Sequence, residues 1–217
     1  MSGSEIPAGP EKLFEALFAR KRELEACRRD IWSAYELLRD CFADGGKLLL
    51  CGNGGSCADC DHIAGELMKG FMRPRPLPGN VKRALRELGS DGATMADKLQ
   101  GALKAINLCG HQALNTAIAN DISPSLIFAQ QTLALGVAGD VLMGLSTSGN
   151  AENVCGALIA ARAAGMARIG MTGEGGGRMA PLCDVAIRAP ASQTYEIQEY
   201  HLPIYHTLCA MLEAHFF

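Results

Sequence analysis

No stretch of this chain is long and uncharged enough to span a bilayer, and its start, MSGSEIPAGPEKLFEAL, lacks a basic segment leading into a continuous apolar run and a cleavage site. A cytoplasmic protein is therefore expected. Excess positive charge is missing as well: the net charge is −3 and the pI near 6.0, so no polyanion-binding footprint exists and nucleic acid is not an expected partner. Nucleotide signatures fail too, because GNGGS (52–56) does not complete G-x-G-x-x-G and no G-x-x-x-x-G-K-[ST] occurs. There is no internal repeat and no low-complexity tract. The nine cysteines are odd in number and scattered through segments that read as helices and strands, which suits buried reduced thiols rather than a disulfide framework.

What is present suffices for a full core. With 217 residues, 48% of them hydrophobic and 20% charged, one domain over 1–217 is expected. Residues 11–43 read as one long helix, with Leu17, Leu24, Ile31 and Leu38 recurring every seven residues and Leu13, Cys27, Ala34 and Cys41 in the rows between. Such a helix (10–44 with its flanks) either packs on its own domain or bundles with other subunits. Lys47–Cys51 then reads as a buried strand before glycines, with a helix from Ser56. The rhythm returns at Gly139–Leu145, STSGN, Ala151–Ala164, Ala167–Met171, TGEGGG and Asp184–Ala189. Strands alternating with helices predict a doubly wound parallel α/β domain. Between Met72 and Gln112 the rhythm is suspended by a Pro-rich basic stretch and two short helical segments, 81–88 and 94–108. This 72–112 segment reads as an insertion: a surface decoration, a lid or an oligomer contact. Its Arg73, Arg75, Lys82, Arg83 and Arg86 are expected where an anionic substrate approaches.

In an open α/β sheet, ligands bind beyond the carboxyl ends of the strands, where helix N-termini present free N–H groups. Two loops there suit a monophosphate on a small molecule. GNGGS lets the backbone approach closely and adds the Ser56 hydroxyl, and STSGN offers Ser146, Thr147 and Ser148. His62 and Glu66, four apart, share a helix face within reach of a ligand at that helix's N-terminus. An imidazole and a carboxylate so placed can share a proton or a metal ion. The final helix, 196 to about 215, carries Gln198, His201 and His206 among apolar residues, a second polar cluster. Cys57-x-x-Cys60 suggests redox or zinc chemistry, but no second pair stands at matching spacing, so packing is the preferred reading.

CGNGGSCADCDHIAGEL, Asn120-Asp121, DVLMGLSTSGNAENV, TGEGGG and IQEYHLPIYH occur in this order. Together they resemble the sugar-isomerase (SIS) domain family and, within it, the phosphoheptose isomerase branch. The resemblance implies a three-layer α/β/α fold of SIS type, a homotetramer with the N-terminal helix in the subunit contacts, and conversion of a ketose phosphate into an aldose phosphate through an enediol. It implies substrate contacts at Asn53, Gly54, Ser56, Asp121, Ser146, Thr147, Ser148 and Gln198. Glu66 and His206 fall at acid/base positions, and His62, Glu66, Gln198 and His206 at zinc positions. Ala151, Lys69-Gly70, the long 72–112 segment and Pro203 depart from the family pattern. A non-catalytic SIS regulator, sensing a phosphosugar or partnering a replication initiator, and an isomerase of another phosphosugar are the alternatives.

On a straight helix Gln198 and His206 lie about 12 Å apart along the axis, too far for one ion with bonds near ~2 Å. Either Pro203 kinks or breaks the helix, or the ligands come from different chains; the expectation is a composite interface site with Glu66 and His206 on different subunits.

Overall fold

The computed structural model describes residues 9–217, so the leader reading at 1–8 lies outside the described residues. Five parallel strands form one sheet in the order β2-β1-β3-β4-β5: β1 (Leu48–Gly52), β2 (Ala105–Asn107), β3 (Val141–Leu145), β4 (Ala167–Gly173) and β5 (Val185–Ala189). Alternate residues of β1 face opposite layers, as the pleat requires. Leu48 and Leu50 join a cluster with Leu17, Ile31, Leu38, Ile63 and Leu208; these come from α1 (Pro10–Arg20), α2 (Arg28–Ala43), α3 (Gly55–Met68) and α9 (Thr194–Phe216). Leu49 and Cys51 join Phe128, Val154 and Leu158, from α7 (Ile127–Leu135) and α8 (Glu152–Ala163). The expected three-layer α/β/α architecture is therefore present.

Several sequence expectations are corrected. The long N-terminal helix is broken: α1 ends at Arg20, Lys21 takes φ −137° and ψ 75°, and Arg22–Cys27 form a 3-10 helix before α2. The break folds α2 back so that Phe14 meets Trp32 with ring centroids 5.0 Å apart. Arg28 then stacks 3.9 Å from the Phe18 ring centroid while pairing with Glu15 at 2.7 Å. The seven-residue rows survive the break, since Leu17, Leu24, Ile31 and Leu38 are all buried within the chain.

The 72–112 insertion is also narrower than expected. Ala105–Asn107 form β2, a sheet strand paired with β1 through Leu48↔Ala105 and Leu50↔Asn107. A strand of three residues carries too little periodicity to be read from sequence. The second expected helix, 94–108, is α5 (Ser90–Lys98); it packs on α4 (Gly79–Arg86), and an antiparallel bridge between Pro76 and Gln100 closes the base of this hairpin. Arg75 is not available to an incoming substrate: it is 1% exposed and pairs with the buried Glu213 at 2.7 Å. Pro203 does not break the last helix either, because α9 runs through it from Thr194 to Phe216.

Candidate active site

The two glycine- and hydroxyl-rich loops lie at the carboxyl ends of β1 and β3 and are tied together. Asn53 Nδ2 donates to Asn153 Oδ1 and Asn153 Nδ2 to Asn53 Oδ1, both at 2.9 Å. Gly54, at φ +55°, turns the chain into α3, and neither N-cap residue, Gly54 for α3 or Ala151 for α8, caps its helix with a side chain. The N–H groups of Ser56 and Cys57 are taken by the Asn53 and Gly54 carbonyls and that of Val154 by Asn153 Oδ1, so what each terminus offers an anion is chiefly the positive end of its helix dipole. Ser56 and Ser146 are buried in the loop bases, whereas Ser148 is exposed and Thr147 half-buried. The second loop is braced by the 173–177 turn: a Cβ on Gly149, at φ +66°, would lie 2.3 Å from the Gly176 carbonyl. Gln198 reaches this end of the fold, its amide packed against Gly55, where an added Cβ would approach Nε2 to 2.6 Å.

A second set of groups gathers further along α3. His62 Nε2 lies 3.3 Å from Glu66 Oε1 and 3.3 Å from His206 Nε2. His62 Nδ1 is 3.0 Å from the Tyr205 hydroxyl, which donates to Asp59 Oδ1 at 3.1 Å. Because that hydroxyl gives its proton to Asp59, Nδ1 carries the imidazole proton and donates it to the Tyr205 oxygen. Nε2 is left facing a carboxylate oxygen, an arrangement that calls for a proton or a cation between them. Lys69 Nζ holds the other carboxylate oxygen of Glu66 at 3.3 Å. Burial lowers the pKa of His206 below the ordinary imidazole value, with His62 and Arg20 adding to the effect against Glu66. Beside His206 opens a cavity of about 490 Å³ between α1, Phe71, Met72 and α9.

The donor set suits a transition-metal ion in kind, and two separations of 3.3 Å match the tetrahedral edge around bonds of about 2.0 Å. Among the described residues, however, no group of three or more His, Cys, Asp and Glu side chains is arranged to hold an ion.

The expected residues thus fall into two groups rather than one. Asn53, Gly54, Ser56, Ser146, Thr147, Ser148 and Gln198 surround the loops; His62, Glu66 and His206 meet on α3 and α9. Glu66 is eleven residues beyond Gly55 on an unbroken helix, about 16 Å along the axis, and so out of reach of a ligand at its own helix N-terminus. Glu66 and His206 belong to one chain, which corrects the expectation that they come from different subunits. The unbroken α9 keeps Gln198 away from His206 in the same chain. Nor do the three polar residues of α9 form a cluster: His201 is fully buried, its Nε2 3.3 Å from the Thr172 carbonyl, and burial lowers its pKa to about 4. Asp121 ends α6 (Gln112–Asp121), exposed, and accepts from Asn120 at 2.8 Å. Asp59, Tyr205 and Asn153 were missed by sequence reasoning; Asp59, three residues before His62 on one helix, was the findable one.

The description of the SIS domain family matches residues 14–107 and 102–173, and the chain belongs to that family. Within it, the chain belongs with the phosphoheptose isomerases. It is 42% identical to the phosphoheptose isomerase of Desulfovibrio desulfuricans over 177 residues, 82% of this chain and 72% of the relative. It is 37% identical to that of a Nitratiruptor species over 206 residues, 95% and 94% of the two chains. Among solved structures, the phosphoheptose isomerase of Neisseria gonorrhoeae aligns with a TM-score of 0.69 at 34% identity, covering 90% of this chain and 93% of that one. That of Francisella tularensis aligns at 0.71 and 30%, covering 94% and 95%.

Proposed function

We propose that the protein isomerises sedoheptulose 7-phosphate to glycero-manno-heptose 7-phosphate through an enediol, in the cytoplasm. One observation carries this reading: His62, Glu66 and His206 converge in a chain whose two glycine- and hydroxyl-rich loops, tied together at the N-termini of α3 and α8, form a cradle. The cradle, Asn53, Gly54, Ser56, Ser146, Thr147 and Ser148, holds the phosphate. Glu66 takes the proton from the carbon beside the carbonyl, and His206 moves a proton between the two oxygens. Lys69 orients the Glu66 carboxylate, and the Asp59–Tyr205 pair fixes the tautomer of His62.

The working site is composite. The His62–Glu66–His206 group of one copy faces the cradle and Gln198 of another, in a homotetramer. The ~16 Å between Gly55 and Glu66 within one chain supports this arrangement. Exposed Leu114, Ile122, Leu126 and Leu133 on α6, α7 and the turn between them supply apolar surface for such contacts, and Asp121 at the end of α6 would reach a neighbouring cradle. Zinc would be held by His62, Glu66 and His206, with Gln198 joining from the second copy; His62 Nε2 lying 3.3 Å from both Glu66 Oε1 and His206 Nε2 supports that donor set. A bound ion supplies Lewis-acid polarisation of the sugar oxygens.

The test is turnover of ketose phosphates of several chain lengths, with and without chelator. The seven-carbon phosphate should turn over fastest and the chelated protein should lose activity. Absence of any aldose product would favour a non-catalytic regulator.

A further inference from the structure

The bond between the two loops is a closed pair of amides whose orientation can be fixed atom by atom. Asn53 Nδ2 donates to Asn153 Oδ1 and Asn153 Nδ2 to Asn53 Oδ1, both at 2.9 Å. A third bond decides which atom of each amide is oxygen and which nitrogen: the Val154 N–H, which can only donate, reaches Asn153 Oδ1 at 3.0 Å. With Asn153 Oδ1 fixed as the acceptor, Asn153 Nδ2 must be the donor to Asn53, and the Asn53 amide is oriented in turn.

Each asparagine amide has two N–H donors and an oxygen with two lone pairs. Asn153 Oδ1 is filled, by Asn53 on one side and Val154 on the other, so the edge of the pair towards Val154 is closed. On the opposite edge lie the second Nδ2 hydrogen of Asn153 and the second lone pair of Asn53 Oδ1, side by side. Among the described residues no further bond is made to either amide, and Asn53 is exposed and Asn153 half-buried, so a ligand can reach that edge. The pair is also held in place. Val154, next to Asn153 in α8, is fully buried, and the Asn53 carbonyl takes the Ser56 N–H at 3.0 Å. Asn150, the other asparagine of the second loop, serves its own turn instead: its Nδ2 donates to the Ser148 carbonyl at 3.0 Å and its Oδ1 accepts the Arg178 N–H at 3.1 Å.

We propose that Asn153 is a specificity-determining residue which, with Asn53, presents a donor–acceptor edge to the hydroxyls of the sugar chain beside the phosphate. Phosphate oxygens are acceptors, and the outward lone pair of Asn53 Oδ1 repels them. Hydroxyls both give and take. Neighbouring hydroxyls of a polyol satisfy the edge, one accepting from Asn153 Nδ2 and the next donating to Asn53 Oδ1. This deepens the proposed function and rests on its phosphosugar reading: the serine hydroxyls and helix dipoles of the loops hold the phosphate, and the Asn53 side chain serves the carbon chain.

Glycerol 3-phosphate and propyl phosphate share a phosphate ester and differ in their hydroxyls, so the ratio of their affinities for the full-length protein isolates the edge from the phosphate. Ligand-detected NMR titration should show the unsubstituted chain favouring glycerol 3-phosphate by about tenfold. Asn153→Ala should remove most of that preference and leave the propyl phosphate affinity within about twofold. Asn153→Asp keeps the acceptor used by Val154 and Asn53, and with it the start of α8, but loses the donor. It should lower the ratio too, its charge weakening both ligands alike, and it reads the edge even if the alanine variant fails to fold. The Asn53→Ala/Asn153→Ala chain should be no worse than either single variant, because the edge needs both amides. An unsubstituted ratio near one, an Asn153→Asp chain that keeps the preference, or additive losses in the double variant would each overturn the proposal. Neither ligand is a ketose and no turnover is read, so the ratio holds even if no ketose phosphate is isomerised. Conversely, isomerisation of sedoheptulose 7-phosphate with an unchanged KM in folded Asn153→Ala would remove the edge and leave the isomerase reading standing.

Discussion

Replacement of Arg75 by methionine keeps much of the side chain's length and removes its guanidinium from a fully buried network. Arg75 Nε donates to Glu213 Oε1 at 2.7 Å, and its two terminal nitrogens donate to the carbonyls of Leu67 at 2.6 Å and Glu66 at 2.8 Å. Glu213 also accepts the N–H groups of Phe71 at 2.8 Å and Met72 at 2.7 Å. The methionine variant leaves a buried carboxylate without its cation, at a cost of about 3–5 kcal/mol. It also takes from the Glu66 carbonyl at the end of α3 its Arg75 donor, at up to ~1–3 kcal/mol, while the Leu67 carbonyl keeps the Leu103 N–H at 3.0 Å. At about 2–4 °C per kcal/mol for a chain of this size, Tm should fall by roughly 10 °C or more. The assay is thermal and urea unfolding at fixed protein concentration, with Glu213→Gln and the double variant completing a cycle. The double variant should be much less unstable than the sum of the singles, because neither partner is left as a lone buried charge. A single-variant loss under about 1 kcal/mol, or strict additivity, would refute the reasoning, since a surface pair behaves that way.

Because the His201 pKa is lowered in the folded protein to about 4, its contribution is fully present above the ordinary 6.5 and is lost as pH falls towards 4. Unfolding followed from pH 7 to pH 4 should show a loss of about 3 kcal/mol from this group, and His201→Leu should flatten that slope. Joint replacement of Ser146 and Ser148 by alanine should raise KM for the phosphorylated sugar strongly and leave the far-UV spectrum intact; an unchanged KM removes the phosphate from that loop. Deleting the α4–α5 hairpin between Pro76 and Gln100, whose bridge already brings the ends together, should leave a folded core. A change in KM or in oligomer size would place the hairpin at the site mouth or a subunit contact, and no change in either would make it decoration.

The layered fold was legible because four of the five strands carry apolar runs before glycine- or hydroxyl-rich loops, the pattern a doubly wound sheet needs. β2 was not, since Ala105–Asn107 gains its strand character from backbone pairing with β1. The break at Lys21 was hidden for a related reason. The seven-residue spacing of Leu17, Leu24, Ile31 and Leu38 is kept whether the chain runs straight or folds back, and the deciding contacts of Phe14, Phe18, Arg28 and Trp32 are tertiary. His62 and Glu66 were readable as helical neighbours; their meeting with His206 depends on how α3 and α9 pack. The Asn53–Asn153 and Arg75–Glu213 pairs each join residues a hundred or more positions apart, a separation that no local pattern spans.

Hybrid oligomers test the composite site directly. Two variants carrying different affinity tags are co-expressed, and particles bearing both tags are isolated and assayed with sedoheptulose 7-phosphate below its KM. Glu66→Gln alone should lower kcat by ~10²-fold or more, because the shape is kept and the base removed. Hybrids of Glu66→Gln with the Ser146→Ala/Ser148→Ala chain should regain activity, since some sites combine a native proton-transfer group from one chain with a native cradle from the other. Hybrids of Glu66→Gln with His206→Ala should stay at background, because both groups belong to one chain. Activity returning in the second hybrid, or failing to return in the first, would contradict the account.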